Sequence, residues 1–195
     1  MSENNKNLAD IKDLSVSFMT DAGSIKAVED VNFTIPRKTV VGVVGESGSG
    51  KSVTARSIIK LLPETATTSG AVYLSKRDGS DSLDVLSLSG EQLREVRGSE
   101  AAMVFQEPNS VLNPVYTIGW QIEEGLRAHG MKDKKELRAK AINILKKVGI
   151  PDAETRVDYY PHQFSGGQKQ RIVIAMALVL NPGLILPTSP PLPST

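Results

Sequence analysis

The chain contains no cysteine, and this absence excludes several kinds of chemistry. Without thiols there are no disulfide bonds, no thiolate-bound metal and no cysteine nucleophile. A cysteine-free composition also fits the reducing cytosol. Stability must therefore come from a packed core, and 195 residues suffice for one substantial domain.

A strong net charge and long apolar runs are also lacking. The formal net charge is +1, whereas nucleic-acid-binding domains usually present a basic face, so we predict no nucleic-acid partner. The longest apolar run, Ile172–Leu180, is about half of the roughly 20 residues that span a bilayer. The polar start, MSENNKNLAD, lacks the apolar region of a signal peptide. We expect any membrane role to come through a partner protein.

The apolar pattern changes from strand-like to helix-like along the chain. Ile11–Phe18 and Ala27–Ile35 predict strands of an antiparallel layer. Thr39–Val44 is a valine-rich run, typical of a strand buried on both faces of a parallel sheet. Residues 70–88 predict a hairpin that turns at an Asp-Gly pair, and residues from about 108 to 160 are mainly helical in pattern. The predicted class is α/β.

Three helix starts carry the pattern of a capping box, in which two residues three positions apart cap each other's backbone amides. The pairs are Ser89 with Gln92, Asp133 with Glu136, and Ser165 with Gln168. The third pair predicts a helix that continues to Leu180, before Asn181-Pro182.

A phosphate-binding loop is predicted at residues 45–52, where GESGSGKS fits G-x-x-x-x-G-K-[ST] between a predicted strand and a predicted helix. Its glycines allow successive N–H groups to point inward and form an anion nest at a helix N-terminus. Lys51 can reach the β- and γ-phosphates, and the Ser52 hydroxyl can bind Mg²⁺. The alternative, a glycine-rich turn without a ligand, is disfavoured by the strand–loop–helix context. The predicted nucleotide-binding residues are Gly45, Glu46, Ser47, Gly48, Ser49, Gly50, Lys51, Ser52 and Val53.

A second glycine-rich helix start lies in FSGGQKQR, residues 164–171. A serine hydroxyl and glycine N–H groups at a helix N-terminus can also receive a γ-phosphate. The simpler interpretation is a capped helix with glycines for close packing. One domain does not need two receptors for one nucleotide, so we expect this one to serve a nucleotide held by a second subunit. The residues predicted to act in trans are Ser165, Gly166, Gly167 and Gln168.

GESGSGKS, then VFQEP, then FSGGQKQR, in this order and at these separations, resembles the nucleotide-binding domain of ABC transporters. The resemblance covers Ile11 to about Leu186 and implies a P-loop NTPase fold with an antiparallel β layer and a helical subdomain. It implies that Phe18 stacks on adenine and that Gln106 is the Q-loop glutamine, which contacts Mg²⁺ or the attacking water. Lys51 and Gln106 are then the predicted catalytic residues, Ser52 and Gln106 the predicted metal contacts, and ATP and Mg²⁺ the cofactors. The alternatives are that Phe18 is a core phenylalanine and that Gln106 belongs to a capped turn.

FQEPNSVLNPVYTIGWQI, residues 105–122, and YPHQFSGGQ, residues 160–168, resemble the ATPase subunits of bacterial dipeptide, oligopeptide and nickel importers. That resemblance implies a head-to-tail dimer with a second ATPase subunit and association with two transmembrane permease subunits. An external solute-binding protein takes part indirectly. The implied location is cytoplasmic, on the inner face of the cell membrane. The helical stretch from Asn109 to Tyr160 is expected to contact a permease.

The family pattern breaks after Leu186. A strand ending in Asp-Glu is expected there, with the aspartate holding Mg²⁺ and the glutamate polarising water. Thr188 and Ser189 stand at those two positions, and the prolines of PTSPPLPST, residues 187–195, cannot continue a central strand. We therefore expect ATP binding at best, without the Walker B aspartate, the catalytic glutamate or the switch histidine.

A frameshift would explain this ending. Codons for the family-like peptide LADEPTTALDVT, after loss of one G, translate to Leu-Pro-Thr-Ser-Pro-Pro-Leu-Pro-Ser-Thr and a stop, which matches residues 186–195. The expected organisation is a polar tail (1–10), an incomplete nucleotide-binding domain (11–186) with a helical subdomain (about 108–160), and an aberrant proline-rich tail (187–195). The alternatives are a non-transport ABC ATPase and a catalytically inactive nucleotide-binding fragment.

Overall fold

Two long strands at the start of the chain form the centre of an antiparallel sheet. The computed structural model describes residues 6–21 and 23–188. Strands β1 (Asn7–Thr20) and β2 (Gly23–Pro36) are antiparallel. Strand β3 (Ala66–Ser75) pairs with the other side of β1, and β4 (Ser82–Asp84) pairs with β3, giving the order β2-β1-β3-β4. The predicted antiparallel layer and the predicted hairpin are confirmed.

A bulge in β1 keeps its apolar side chains on the core side. Ile11 and Leu14 are 1% and 0% exposed, although a spacing of three would place them on opposite faces of a regular strand. The register shifts between them, and Asp13 takes a φ of 49°. The Asp13 amide donates to Asn32 Oδ1 at 2.9 Å, so the extra residue of the bulge is hydrogen-bonded.

The prediction of a strand at Thr39–Val44 is wrong. Residues 39–46 have no regular secondary structure, and Val40 and Val44 are 99% and 92% exposed. A strand requires a neighbour to accept and donate its backbone hydrogen bonds. The described part of the chain pairs no strand with this segment. Helix α1 (Lys51–Ile58) follows the glycine-rich loop, as predicted.

Residues 101–188 form a second compact unit, distinct from the unit that contains residues 6–100. Strand β5 (Ala101–Val104) pairs in parallel with β6 (Leu184–Pro187). The intervening helices, which confirm the helical pattern of this region, are α3 (Pro108–Val111), α4 (Ile118–Ala128), α5 (Lys134–Lys147), α6 (Ala153–Arg156) and α7 (Gly166–Leu178). Their shared core includes Ile118, Leu145 and Ile172, each 0% exposed. Helix α2 (Gly90–Ser99) belongs to the first unit.

The three predicted capping boxes have three different outcomes. The box of Ser165 and Gln168 forms completely. Asp133 caps α5 by accepting the amides of two following residues, so half of that box forms. Ser89 precedes α2 without a side-chain cap in the described structure. Gly90 follows it with a φ of 54°, outside the helical region, which removes the regular spacing that a cap needs.

Strand β6 ends at the position where the family pattern breaks. Pro187 is its last residue and lies opposite Val104. A proline is tolerated here because the end of a strand does not need its missing N–H. Thr188 then donates its amide to the Val104 carbonyl at 3.0 Å and its hydroxyl to the same oxygen at 3.3 Å. The rest of the predicted proline-rich tail, and residues 1–5 of the predicted polar tail, lie outside the described residues.

Candidate functional site

The glycine-rich loop between residues 45 and 50 has a backbone that few other residues could adopt. Gly48 and Gly50 have φ angles of 81° and 84°, in the left-handed region. Gly50 also lies so close to β2 that a Cβ there would be 2.7 Å from the Ala27 carbonyl oxygen. Gly50 is therefore required both by its conformation and by its contact with the sheet.

The Lys51 ammonium folds back over this loop. Its Nζ donates to the carbonyl oxygens of Gly45 at 2.8 Å and Glu46 at 2.6 Å, and to Ser49 Oγ at 3.2 Å. These three bonds hold the positive charge against the loop. A phosphate oxygen entering the loop would compete with the two carbonyls for the protons of this ammonium.

Helix α1 begins beside the same lysine. Gly50 is its N-cap residue, and no side chain among the described residues caps it. Its first turn also contains no acidic side chain that would neutralise the positive end of the helix dipole. The first amides of the helix, beginning with Lys51 and Ser52, are thus available to an anion. The loop, its lysine and the start of the helix together fit the phosphates of a nucleoside triphosphate.

The described residues offer fewer ligands for a magnesium ion than donors for phosphate. Ser52 is exposed and can offer its hydroxyl as one ligand. Mg²⁺ in nucleotide sites is usually bound by one or two carboxylates together with phosphate oxygens. Within residues 6–21 and 23–188, no three His, Cys, Asp or Glu side chains cluster as a metal site.

Phe18 lies in the same unit as the P-loop, on β1. It is half-buried and paired with Ile25 of β2, and a Cβ built on Gly50 would meet Ala27 and Val28 of the same strand. A cavity of about 500 Å³ lies elsewhere on this sheet, lined by residues of β1 and β3 and by residues 79–82. None of the predicted site residues lines that cavity.

The second glycine-rich helix start belongs to the other unit. Ser165 Oγ accepts the amide of Gln168 at 3.3 Å, and Gln168 Oε1 accepts the amide of Ser165 at 3.1 Å. Phe164, immediately before it, is 6% exposed and packs in the core of the unit. Gly166 and Gly167 are exposed, and no described heavy atom lies within 4 Å of a Cβ built on either. Packing within the described chain therefore does not explain these two glycines.

Gln106 is exposed in the loop between β5 and α3. Three residues later, Asn109 Oδ1 accepts a hydrogen bond from Lys169 Nζ at 3.1 Å. This bond joins α3, which follows the loop that carries Gln106, to α7, which Ser165 caps. No sequence pattern predicts this pair, because the two residues are 60 positions apart.

The comparisons with known proteins agree with this geometry. The family model of ABC transporters matches residues 28–188 of the chain. This chain belongs to the ABC transporter family. A provisionally named peptide import ATP-binding protein of Brucella abortus is 48% identical over 183 residues, which are 94% of this chain and 54% of that relative. The ABC chain thus spans about half the length of the curated relatives it matches.

Solved structures give the same fold. The dimeric structure of MJ0796, a bacterial ABC transporter cassette, has a TM-score of 0.76 and 30% identity, covering 92% of this chain and 72% of that one. A dimeric post-hydrolysis state of the same cassette, bound to ADP and Pi, has a TM-score of 0.75 and 30% identity at the same coverage. The chain therefore has the P-loop NTPase fold of ABC cassettes, as the sequence predicted.

A group of exposed apolar side chains at the start of α4 was not predicted from the sequence. Val115, Tyr116 and Trp120 are 70%, 40% and 38% exposed. The rings of Tyr116 and Trp120 stack with their centroids 4.0 Å apart. Their i, i+4 spacing could have suggested the stack, but the buried Ile118, Ile122 and Leu126 dominated the helical pattern.

Proposed function

We propose that this chain carries the nucleotide-binding part of an importer's ATP-binding subunit, and that it binds Mg-ATP without hydrolysing it. The observation that carries the proposal is the structure of the P-loop. Lys51 Nζ donates to the carbonyls of Gly45 and Glu46 there, at the start of α1, which no described side chain caps. The nucleotide-binding residues are Gly45–Val53, with Phe18 stacking on adenine. The proposed domain spans residues 11–186, with a helical subdomain at about 108–160.

The second phosphate receptor, at Ser165–Gln168, supports a head-to-tail dimer with another ATPase subunit. The open space beside Gly166 and Gly167 suits the close approach of a ligand from another molecule. The MJ0796 cassettes are dimeric, which favours the same arrangement here. In the dimer, Ser165 and the two glycine amides would contact the γ-phosphate held by the partner's P-loop.

The proposed cargo is a peptide, by analogy with the relatives' names, and the proposed membrane partners are two permease subunits that receive it from an external solute-binding protein. Helices long and apolar enough to cross a bilayer are missing from the described ranges. The exposed group of Val115, Tyr116 and Trp120 offers an apolar surface for a permease segment. The subunit would then sit on the cytoplasmic face of the membrane.

The proposed lack of hydrolysis rests on Thr188. Its hydroxyl donates to the Val104 carbonyl at 3.3 Å, at the end of the strand where family members carry the magnesium-binding aspartate. A threonine remains neutral at pH 7 and can neither hold the cation electrostatically nor take a proton from water. Gln106 remains to contact Mg²⁺ or the water, but it cannot act as a base.

Titration calorimetry with Mg-ATP tests the nucleotide site. Lys51→Ala removes charge-assisted bonds to phosphate and should weaken binding about tenfold to hundredfold. Lys132→Ala, which removes an equal charge from an exposed position of the other unit, should leave the affinity unchanged. Equal affinities for the two variants would show that the P-loop does not hold the nucleotide.

A coupled phosphate-release assay tests the second half of the proposal. The chain and its Lys51→Ala variant should both release phosphate at the rate of buffer alone. Turnover that is present in the unaltered chain and lost in Lys51→Ala would overturn the assignment of Thr188 as an inactive replacement.

A further inference from the structure

The first two amides of α4 are held by a distant part of the same unit. Ile118 donates its N–H to the Tyr159 carbonyl at 2.9 Å, and Gly119 donates its N–H to the Val157 carbonyl at 2.7 Å. The first amides of a helix have no acceptor within the helix. Here they fasten the start of α4 to Tyr159 and Val157, which lie 41 and 38 positions later in the chain than their donors.

Gly119 makes this attachment possible. A Cβ at Gly119 would lie 2.4 Å from Val157 Cγ2 and 2.8 Å from the Val157 carbonyl oxygen. Val157 is fully buried and cannot move aside without disturbing the core. Gly125, on the same helix, has no described heavy atom within 4 Å of such a Cβ. Gly119 is therefore required by its neighbour, whereas Gly125 is not.

Residues 157–159 lie shortly before the second glycine-rich helix start, Ser165–Gln168, which is called the signature below. The Tyr159 ring packs against the Phe164 ring with centroids 6.2 Å apart. A 3-10 turn at Pro161–Gln163 connects this segment to Phe164. The turn is held by a hydrogen bond from the Tyr160 amide to Gln163 Oε1, at 2.8 Å. Phe164 is buried, and Ser165 follows it as the cap of α7. The backbone between Val157 and Ser165 thus has little freedom to move independently of α4.

The other side of this attachment faces solvent. Tyr116 and Trp120 flank Gly119 in sequence and form the exposed stack at the start of α4. We propose that Gly119 is a positioning residue, which transmits displacement of the Tyr116–Trp120 stack to Ser165 through Val157. The functional use of this link, in which a permease on the stack alters the signature, rests on the proposed function; the link itself does not.

Hydrogen–deuterium exchange of the chain without nucleotide or partner tests the link. The probes are the amides of Gln168 and Lys169, which bond to the side chain and the carbonyl of Ser165. Gly119→Ala should accelerate their exchange about tenfold, while exchange within Ala141–Leu145 of α5 stays unchanged. Gly125→Ala, the same substitution where space is open, should leave both regions as they are.

A second substitution distinguishes positioning from general damage. Val157→Ala removes the Cγ2 that a Cβ at residue 119 would meet first, so adding it to Gly119→Ala should return the exchange at Gln168 and Lys169 at least partway. The proposal is overturned if Gly119→Ala behaves like Gly125→Ala. It is also overturned if α5 and the signature lose protection equally, because Gly119 would then be only structural. Loss of nucleotide binding in a separate titration would refute the proposed function and leave this result intact.

Discussion

The P-loop and the signature are both glycine-rich helix starts, but the chain stabilises them in opposite ways. At the P-loop, α1 lacks a side-chain cap from the described residues, and Lys51 bonds to the carbonyls of its own loop. At the signature, Ser165 and Gln168 cap each other, and the preceding Phe164 is anchored in a core. The first start has no such cap, whereas at the second the amides of Ser165 and Gln168 are already bonded within the chain.

This difference suits the two proposed tasks. A loop that must hold three phosphates gains from amides and a lysine that exchange weak internal bonds for strong charged ones. A signature that acts on a nucleotide in another subunit must present Ser165 before that subunit arrives, which favours a preorganised helix start. The two sites therefore respond differently to the same kind of substitution.

The largest expected effect is that of Gly50→Ala at the P-loop. Alanine at a φ of 84° is strained, and its Cβ would meet the Ala27 carbonyl oxygen at 2.7 Å. We expect the free energy of unfolding of the P-loop unit to fall by about 3 kcal/mol, measured by urea denaturation. Gly42→Ala, whose Cβ meets no described atom, is the matched control and should be neutral. Equal midpoints for the two variants would mean that Gly50 is not held against β2.

An intermediate effect is expected from Ser165→Ala. Loss of the bond from the Gln168 amide to Ser165 Oγ should lower the stability of the signature unit by about 1 kcal/mol, again measured in urea. Ser52→Ala makes the same change at the P-loop helix, where no described side-chain cap is lost, and should leave stability unaltered. If Ser165→Ala and Ser52→Ala lower the stability equally, the contrast between a capped and an uncapped helix start does not hold.

The smallest effect concerns pH and the ion pair between Arg138 and Asp158, beside the attachment of α4. A hydrogen bond from Arg138 lowers the pKa of the Asp158 carboxyl below its ordinary value. The pair therefore stabilises the unit fully above the ordinary carboxyl pKa of about 4, and this contribution is lost as the pH falls through the lowered folded-state pKa. Both groups are partly exposed, so the effect is small.

Asp158→Asn removes the charge from this pair. We expect its urea midpoint to lie slightly below that of the unaltered chain at pH 7 and to coincide with it in strong acid. Glu124→Gln, a carboxylate-to-amide change at an exposed site on α4, should show no such convergence. A midpoint difference for Asp158→Asn that persists in acid would indicate lost packing and not a lost charge.

Local patterns in the sequence predicted the local elements. The strands around Ile11 and Ala27, the P-loop helix and the box of Ser165 with Gln168 depend on neighbouring residues, so composition and spacing suffice to find them. The run at Thr39–Val44 failed because a strand also needs a partner, which the run itself does not encode. For the same reason no pattern indicated the contact of Gly119 with Val157 or the bond of Lys169 with Asn109.

Trp120 has an optical consequence. It is the single tryptophan of the chain, so all indole emission comes from the first turn of α4, against the Tyr116 ring and with the Arg127 guanidinium 5.1 Å from its centroid. The unaltered chain thus carries its own fluorescent label, two residues from the amide that holds Tyr159. A shift in indole emission therefore reports on the surroundings of Trp120.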